Sequence, residues 1–143
     1  VAVRLEWGHE DLALPYAAKK LDQPRGFGPC TAAIAVDAKD SVSAVLVFHN
    51  YQPEAGVIEV SAVADDARWA QRSILKDAFN YIYNQLGCQM AAARCDVSNE
   101  RVRRLWKAFG ADEYVIPRLR GRQKDEAILT LTDDAWRSSR LSR

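Results

Sequence analysis

Residues 99–112 read Asn99-Glu100-Arg101-Val102-Arg103-Arg104-Leu105-Trp106-Lys107-Ala108-Phe109-Gly110-Ala111-Asp112. Val102, Leu105, Trp106 and Phe109 recur at three- and four-residue intervals, which gathers them on one face of an α-helix. Ser98 or Asn99 is the expected N-cap, because a short polar side chain there accepts a hydrogen bond from an unpaired N–H of the first turn. Gly110 closes the helix, since glycine enters the left-handed conformation of a helix end without a Cβ clash. Gln89 to Val97, just before it, reads as a strand of small residues, and Glu113 to Leu119 and Ala127 to Leu131, after it, as two more strands.

Further upstream, from about Arg68 to Leu86, Leu75, Phe79, Ile82 and Leu86 set a second helical stripe, widened by Ile74 and Ala78 and ended by Gly87. The preceding run, Val57 to Val63, alternates as a strand with Val57, Glu59, Ser61 and Val63 on one face and Ile58, Val60 and Ala62 on the other. Thr31 to Val36 and Val42 to His49 are β-rich runs joined by the polar segment Asp37 to Ser41, which suits a hairpin. Gln52 to Gly56 is another turn. Near the N-terminus, Ala2 to Trp7 alternates as a strand and His9 to Leu21 reads as a helix, before Pro24-Arg25-Gly26-Phe27-Gly28-Pro29 breaks regular structure. Asp133 or Asp134 caps a short terminal helix carrying Trp136 and Leu141. The order is strand, helix, three strands, long helix, strand, helix, two strands. A helix crossing between strands implies parallel neighbours and the hairpins imply antiparallel ones, so the sheet is expected to be mixed.

With 143 residues, 48% hydrophobic and 27% charged, the chain has the composition of one globular domain spanning residues 1–143. Disorder, collagen and coiled coil are excluded. No window approaches the roughly 18 apolar residues of a membrane span, and the N-terminus alternates where a signal peptide would carry an apolar block. A soluble, cytoplasmic protein with no membrane partner is expected. Three cysteines without paired spacing and two distant histidines give poor support for a metal site and fit a reducing compartment. The formal charge of +1 hides an asymmetry: eight Lys/Arg against Asp112 and Glu113 give residues 101–124 a net +6. That stretch is either a solvated face or a contact for an anionic partner.

The element order and the segment Asn99 to Asp112 together resemble the GNAT superfamily of N-acetyltransferases, over nearly the whole chain. Tyr83-Asn84-Gln85-Leu86-Gly87-Cys88 is similar to the helix end that precedes this segment in the branch acetylating ribosomal-protein termini; phage-encoded GNAT-like proteins are the other likeness. The resemblance implies an α/β (α+β) fold with a mixed, mostly antiparallel twisted sheet of six to seven strands flanked by about four helices. It also implies acetyl-CoA as co-substrate, no metal, a primary amine as acceptor, and a homodimer as a frequent assembly. The family's acetyl-CoA loop usually reads Arg/Gln-x-x-Gly-x-Gly/Ala. Here the corresponding stretch, Asp65-Asp66-Ala67-Arg68-Trp69-Ala70-Gln71-Arg72-Ser73, has no glycine. Starting the motif at Arg68 puts Gln71 at the glycine and Ser73 at the small residue; starting at Asp66 puts Trp69 at the glycine. The first register keeps a basic starter, and backbone N–H groups at the helix start would meet the diphosphate. Arg68, Trp69, Ala70, Gln71, Arg72 and Ser73, the backbone of Val63, Asn99 and Arg104 are therefore the expected cofactor-binding residues.

Glu59 is the first candidate for the base that deprotonates the amine, since partial burial on a strand face would raise its pKa toward a useful value. His49 is a second, poised near neutrality. Tyr51 and Tyr114 are candidates for protonating the leaving thiolate, because Trp106 stands where the family often places a tyrosine and has no proton to give. Cys95, among alanines, reads as a buried inert thiol. Three functions remain open: acetyl transfer to an amine of a small molecule, protein or nucleic acid; nucleic-acid binding or base modification by residues 101–124, as in Mom-type phage proteins; and a catalytically weak member acting through interactions.

Overall fold

Seven strands form one sheet in the order β1-β2-β3-β4-β5-β7-β6 in a computed structural model that describes residues 3–64 and 69–142. They are β1 (Arg4–Trp7), β2 (Cys30–Val36), β3 (Val42–Gln52), β4 (Val57–Ala64), β5 (Met90–Asp96), β6 (Asp112–Gly121) and β7 (Lys124–Thr132). The helices are α1 (Glu10–Lys20), α2 (Arg72–Asn80), α3 (Glu100–Ala108) and α4 (Asp133–Ser138). Every neighbouring pair runs antiparallel except β4 and β5, which are parallel because α2 carries the chain across between them. The mixed, mostly antiparallel sheet expected from the sequence is the one observed.

One face of the sheet is covered by α2, α3 and α4. Leu46, Phe48, Ile58, Ala91, Ala93, Leu129 and Leu131 meet Ile74, Phe79, Ile82, Trp106, Phe109 and Trp136 there. Phe79 is the hub of this core, with ring centroids 5.3–6.4 Å from Tyr83, Trp106, Phe109 and Trp136. Each such pair adds about 0.5–1.5 kcal/mol beyond its buried area. Tyr83 is held by its hydroxyl, which donates to the Leu131 carbonyl at 2.6 Å, and burial pushes its pKa above the ordinary phenol range. The opposite face is covered over β2 and β3, where Ala13 and Ala17 of α1 pack on Ala32, Ile34, Val45 and Val47. The small side chains of β2 let that helix lie close.

Three local expectations are revised. The long helix starts at Arg72, not near Arg68, and Asp65 to Arg68 lie outside the described residues. Its last turn, Tyr81–Gln85, is a wider π turn, with Leu86 N–H donating to the Tyr81 carbonyl at 2.9 Å. The cap of α4 is Thr132, not Asp133 or Asp134: β7 stays extended through Thr132, whose Oγ1 accepts from Ala135 N–H at 3.1 Å. The side chain of Leu141 falls outside the described residues. On α3, Asn99 is the cap, its Oδ1 accepting from Val102 N–H at 3.3 Å.

Candidate active site

β4 and β5 pair only from Val57 to Glu59, opposite Met90 to Ala92, although β4 continues to Ala64 and β5 to Asp96. Beyond Glu59 the two strands have no ladder between them, so the middle of the sheet opens. Backbone groups of β4 that would bond to a neighbour are free there to meet another partner. Two cavities flank the opening. On the helical face, an apolar one of about 330 Å³ is walled by Leu46, Val60, Ala62, Phe79, Ala93 and Trp106 among others. On the opposite face, a polar one of about 430 Å³ is walled by His49, Asn50, Glu59, Arg94 and Glu126, with Leu21 and Phe27 also lining it. Ser61, Arg94 and Arg120 line both cavities.

The first polar cluster grows from the β3–β4 hairpin, whose register sets His49 opposite Glu59. The register shifts between His49 and Gln52, and Asn50 takes a positive φ of 51°. Such a bulge re-aims side chains, and the Asn50 Nδ2 donates to Glu59 Oε1 at 2.9 Å. His49 is 7% exposed, with Nε2 at 2.8 Å from Ser61 Oγ and 3.6 Å from Glu59 Oε2. The Phe27 ring meets its imidazole edge-on at 5.2 Å. Burial pushes the His49 pKa below its ordinary value; Glu59 opposes that and Arg94 reinforces it. The imidazole is accordingly neutral at pH 7, the form that accepts a proton.

The second cluster lies across the opening. Glu126 of β7, 1% exposed, accepts from Arg94 Nε at 2.6 Å and Nη2 at 2.8 Å. This two-bond fork neutralises a carboxylate that could not otherwise be buried. Arg120 of β6 stands 3.5 Å from Glu126 Oε1 and 4.0 Å from Asp96 Oδ2.

Glu59 and His49 are thus brought together, and Tyr114 is not: it is 55% exposed on β6 and lines neither cavity. Tyr51 also stands apart, its hydroxyl 3.5 Å from the Leu86 carbonyl. Trp69 and Asn99 line the apolar cavity, while Ala70, Gln71, Arg72, Ser73 and Arg104 do not. Arg72 Nη2 donates to the Arg140 carbonyl at 2.7 Å and Ser73 Oγ reaches the Val3 carbonyl at 3.5 Å, which turns both toward the chain ends. Val63 is buried beside Val45, leaving a backbone role. Arg68 lies outside the described residues. Cys95 lines the apolar cavity, and burial raises its pKa. Part of the positive charge of residues 101–124 is matched internally: Arg103 forks onto Glu113 at 2.7 and 3.0 Å, and Lys107 stands 3.5 Å away. Those contacts, led by Arg103, hold the Glu113 carboxyl at a pKa of about 2.

Ser61, Arg94, Arg120 and Glu126 were not singled out from the sequence. A weak signal existed, because charged residues inside two otherwise apolar strands need partners, but their pairing is set only by sheet order.

The residues present fit acetyl-CoA in part. An apolar slot at the strand opening suits the pantetheine arm and thioester, and the first N–H groups of α2 carry no side-chain cap at Gln71. Such N–H groups bind diphosphate without glycines if the backbone is reachable. Among the described residues no cluster of three or more His, Cys, Asp or Glu is arranged to hold a metal ion. No helix among them is long and apolar enough to cross a membrane.

The seven-stranded mixed sheet with its flanking helices has the fold of the GNAT acetyltransferases, and solved structures of that class superpose on this chain. Mutant forms of the spermidine/spermine N-acetyltransferase SpeG from Vibrio cholerae match with a TM-score of 0.76 at 11% identity, covering 96% of this chain and 100% of their own. A protein with the provisional name phosphinothricin N-acetyltransferase matches at 0.68 and 20% identity, covering 92% and 98%. A provisionally named acetyltransferase matches at 0.71 and 18% identity, covering 94% and 84%. No family model and no curated protein matches the sequence.

Proposed function

We propose that the protein is an acetyl-CoA-dependent N-acetyltransferase acting on a primary amine. The observation that carries this is the opening between β4 and β5, which joins an apolar slot on one face to a polar cavity on the other, with Ser61 lining both and His49 and Glu59 beside it. An activated acetyl group and an amine can enter from opposite faces and meet in the gap, the positioning on which such transfer depends. The fold of the neighbouring acetyltransferases supports the same reading.

Acetyl-CoA, when bound, supplies the acetyl thioester. The Glu59 carboxylate attracts the protonated amine into the polar cavity, and the neutral His49 imidazole takes its proton through Ser61, whose hydroxyl is 2.8 Å from Nε2. The free amine then attacks the carbonyl carbon. The nitrogen–carbon bond forms as the carbon–sulfur bond breaks; the nitrogen's surplus proton passes to water, since His49 already holds the first one, and the leaving sulfur is protonated from water. Unpaired N–H groups of β4 beyond Glu59 are the donors for the carbonyl oxygen as it gains charge. Among the described residues no tyrosine lines either cavity, so the proton for sulfur is assigned to water and not to Tyr114.

Calorimetric titration with acetyl-CoA, followed by thiol release with a panel of amines, tests the reading. Micromolar binding and amine-dependent release are expected. Absence of acetyl-CoA binding at low salt would overturn it and turn attention to nucleic-acid and protein partners, including assembly as a homodimer.

A further inference from the structure

We infer that the polar cavity selects an amine that carries its own carboxylate, a free α-amino acid with an apolar side chain; the inference rests on the acetyltransferase reading and names its acceptor. The charge in the cavity is divided between two walls. On one wall stands Glu59, whose nearest ion-pair partner among the described residues is the neutral His49 at 3.6 Å. On the other stand Arg94, Arg120 and Glu126, with Asp96 4.0 Å from Arg120, and the two arginines are held unequally. Arg94 satisfies both oxygens of Glu126 at 2.6 and 2.8 Å. Arg120 is left with contacts of 3.5 and 4.0 Å, beyond the 2.7–3.2 Å or so of a full hydrogen bond. Its side chain is 35% exposed and lines the cavity, so the fork of a guanidinium faces the ligand space with donors in hand.

A zwitterion matches both walls at once, its ammonium group toward Glu59 and its carboxylate toward Arg120. The planar fork of arginine suits a carboxylate. A polyamine brings a second cation to Arg120, and a simple monoamine leaves that guanidinium unmatched. Glu59 is opposite Ala92 in the sheet, and Arg94 lies two residues further on the same strand, about 6.6 Å along it. Arg120 reaches that wall from β6 through its 3.5 Å contact with Glu126 and lines the same cavity as Glu59. Leu21 and Phe27, which also line the cavity, leave an apolar surface for the side chain.

The test is a comparison of kcat/KM for thiol release from acetyl-CoA, using L-phenylalanine, L-leucine, L-methionine and glycine against L-phenylalaninamide, 2-phenylethylamine, isoamylamine and spermidine. The same amino acids are titrated calorimetrically without acetyl-CoA. A charged hydrogen-bonded contact implies a preference of roughly 10- to 100-fold for the amino acid over its carboxylate-free counterpart. Arg120→Met should bring that ratio toward one, and Arg120→Lys, which keeps the charge without the fork, should leave it between the two. Equal or better turnover of the carboxylate-free amines, or of spermidine, overturns the acceptor class while leaving acetyl transfer standing. If acetyl-CoA does not bind, the acetyltransferase reading fails, and the amino-acid titrations decide the cavity alone: carboxylate-dependent binding sustains it and no binding refutes it.

Discussion

Replacing Trp106 by alanine removes a side chain that is 8% exposed, meets Phe79 edge-to-face at 5.6 Å and lies 6.3 Å from Phe109. Loss of a buried aromatic side chain costs about 3–5 kcal/mol, of which the two ring contacts account for roughly 1–3 kcal/mol. At roughly 0.05–0.15 kcal/mol per residue, a chain of 143 residues has a stability of about 7–20 kcal/mol, so the change is a large share of it. With a urea dependence of about 2 kcal/mol per molar, the unfolding midpoint should fall by about 1.5–2.5 M. Urea titration followed by far-ultraviolet circular dichroism reads the shift directly. Trp106→Phe keeps a ring against Phe79 and should lose about 1–2 kcal/mol. A midpoint for Trp106→Ala within about 0.25 M of the parent, equivalent to about 0.5 kcal/mol, would refute the reasoning, because exposed positions behave that way. It would place Trp106 outside the core and in a binding role.

His49 should give kcat/KM a limb that rises with pH, with its midpoint below the ordinary 6.5 and a plateau by neutrality, since burial favours the neutral ring. His49→Gln should erase the limb and slow turnover by about 100-fold or more; a limb that survives assigns it to another group. The same depressed pKa adds stability that is full above pH 6.5 and is lost as pH falls through 6.5 toward the folded-state value, because the unfolded chain then binds the extra proton. Thermal melts between pH 7 and 5 should show that slope in the parent and less of it in His49→Gln. Glu59→Gln should lower turnover while acetyl-CoA affinity, measured by calorimetry, stays within about twofold; an undiminished rate at every pH would remove Glu59 from the chemistry. Glu126→Ala leaves Arg94 and Arg120 facing each other without their carboxylate, and because Arg94 is partly exposed the expected cost is about 2–3 kcal/mol. A melting temperature within about 2 °C of the parent would show the fork to be dispensable.

The sequence by itself determined the elements whose signals are local. Val102, Leu105, Trp106 and Phe109 at helical spacing, with Asn99 capping and Gly110 closing, gave α3 within a residue of its observed span. The alternation of Val57 to Val63 put Glu59 and Ser61 on one face of β4, and the long helix between two strands implied that these are parallel neighbours in a mixed sheet. Period and capping are properties of a few neighbouring residues, so they can be read without knowing the rest of the chain. Tertiary structure alone decided which of those residues meet. The bulge after His49, a shift in pairing, aims Asn50 at Glu59. The opening between β4 and β5 depends on where their ladder stops. Arg94 and Glu126, 32 positions apart, touch because β5 and β7 are neighbours in the sheet. The same order leaves Tyr114 on an exposed strand away from the cleft, although its residue type suited the chemistry. Strand order and register are set by how the whole chain buries its apolar faces, so the cleft and its division of charge exist only in the folded sheet.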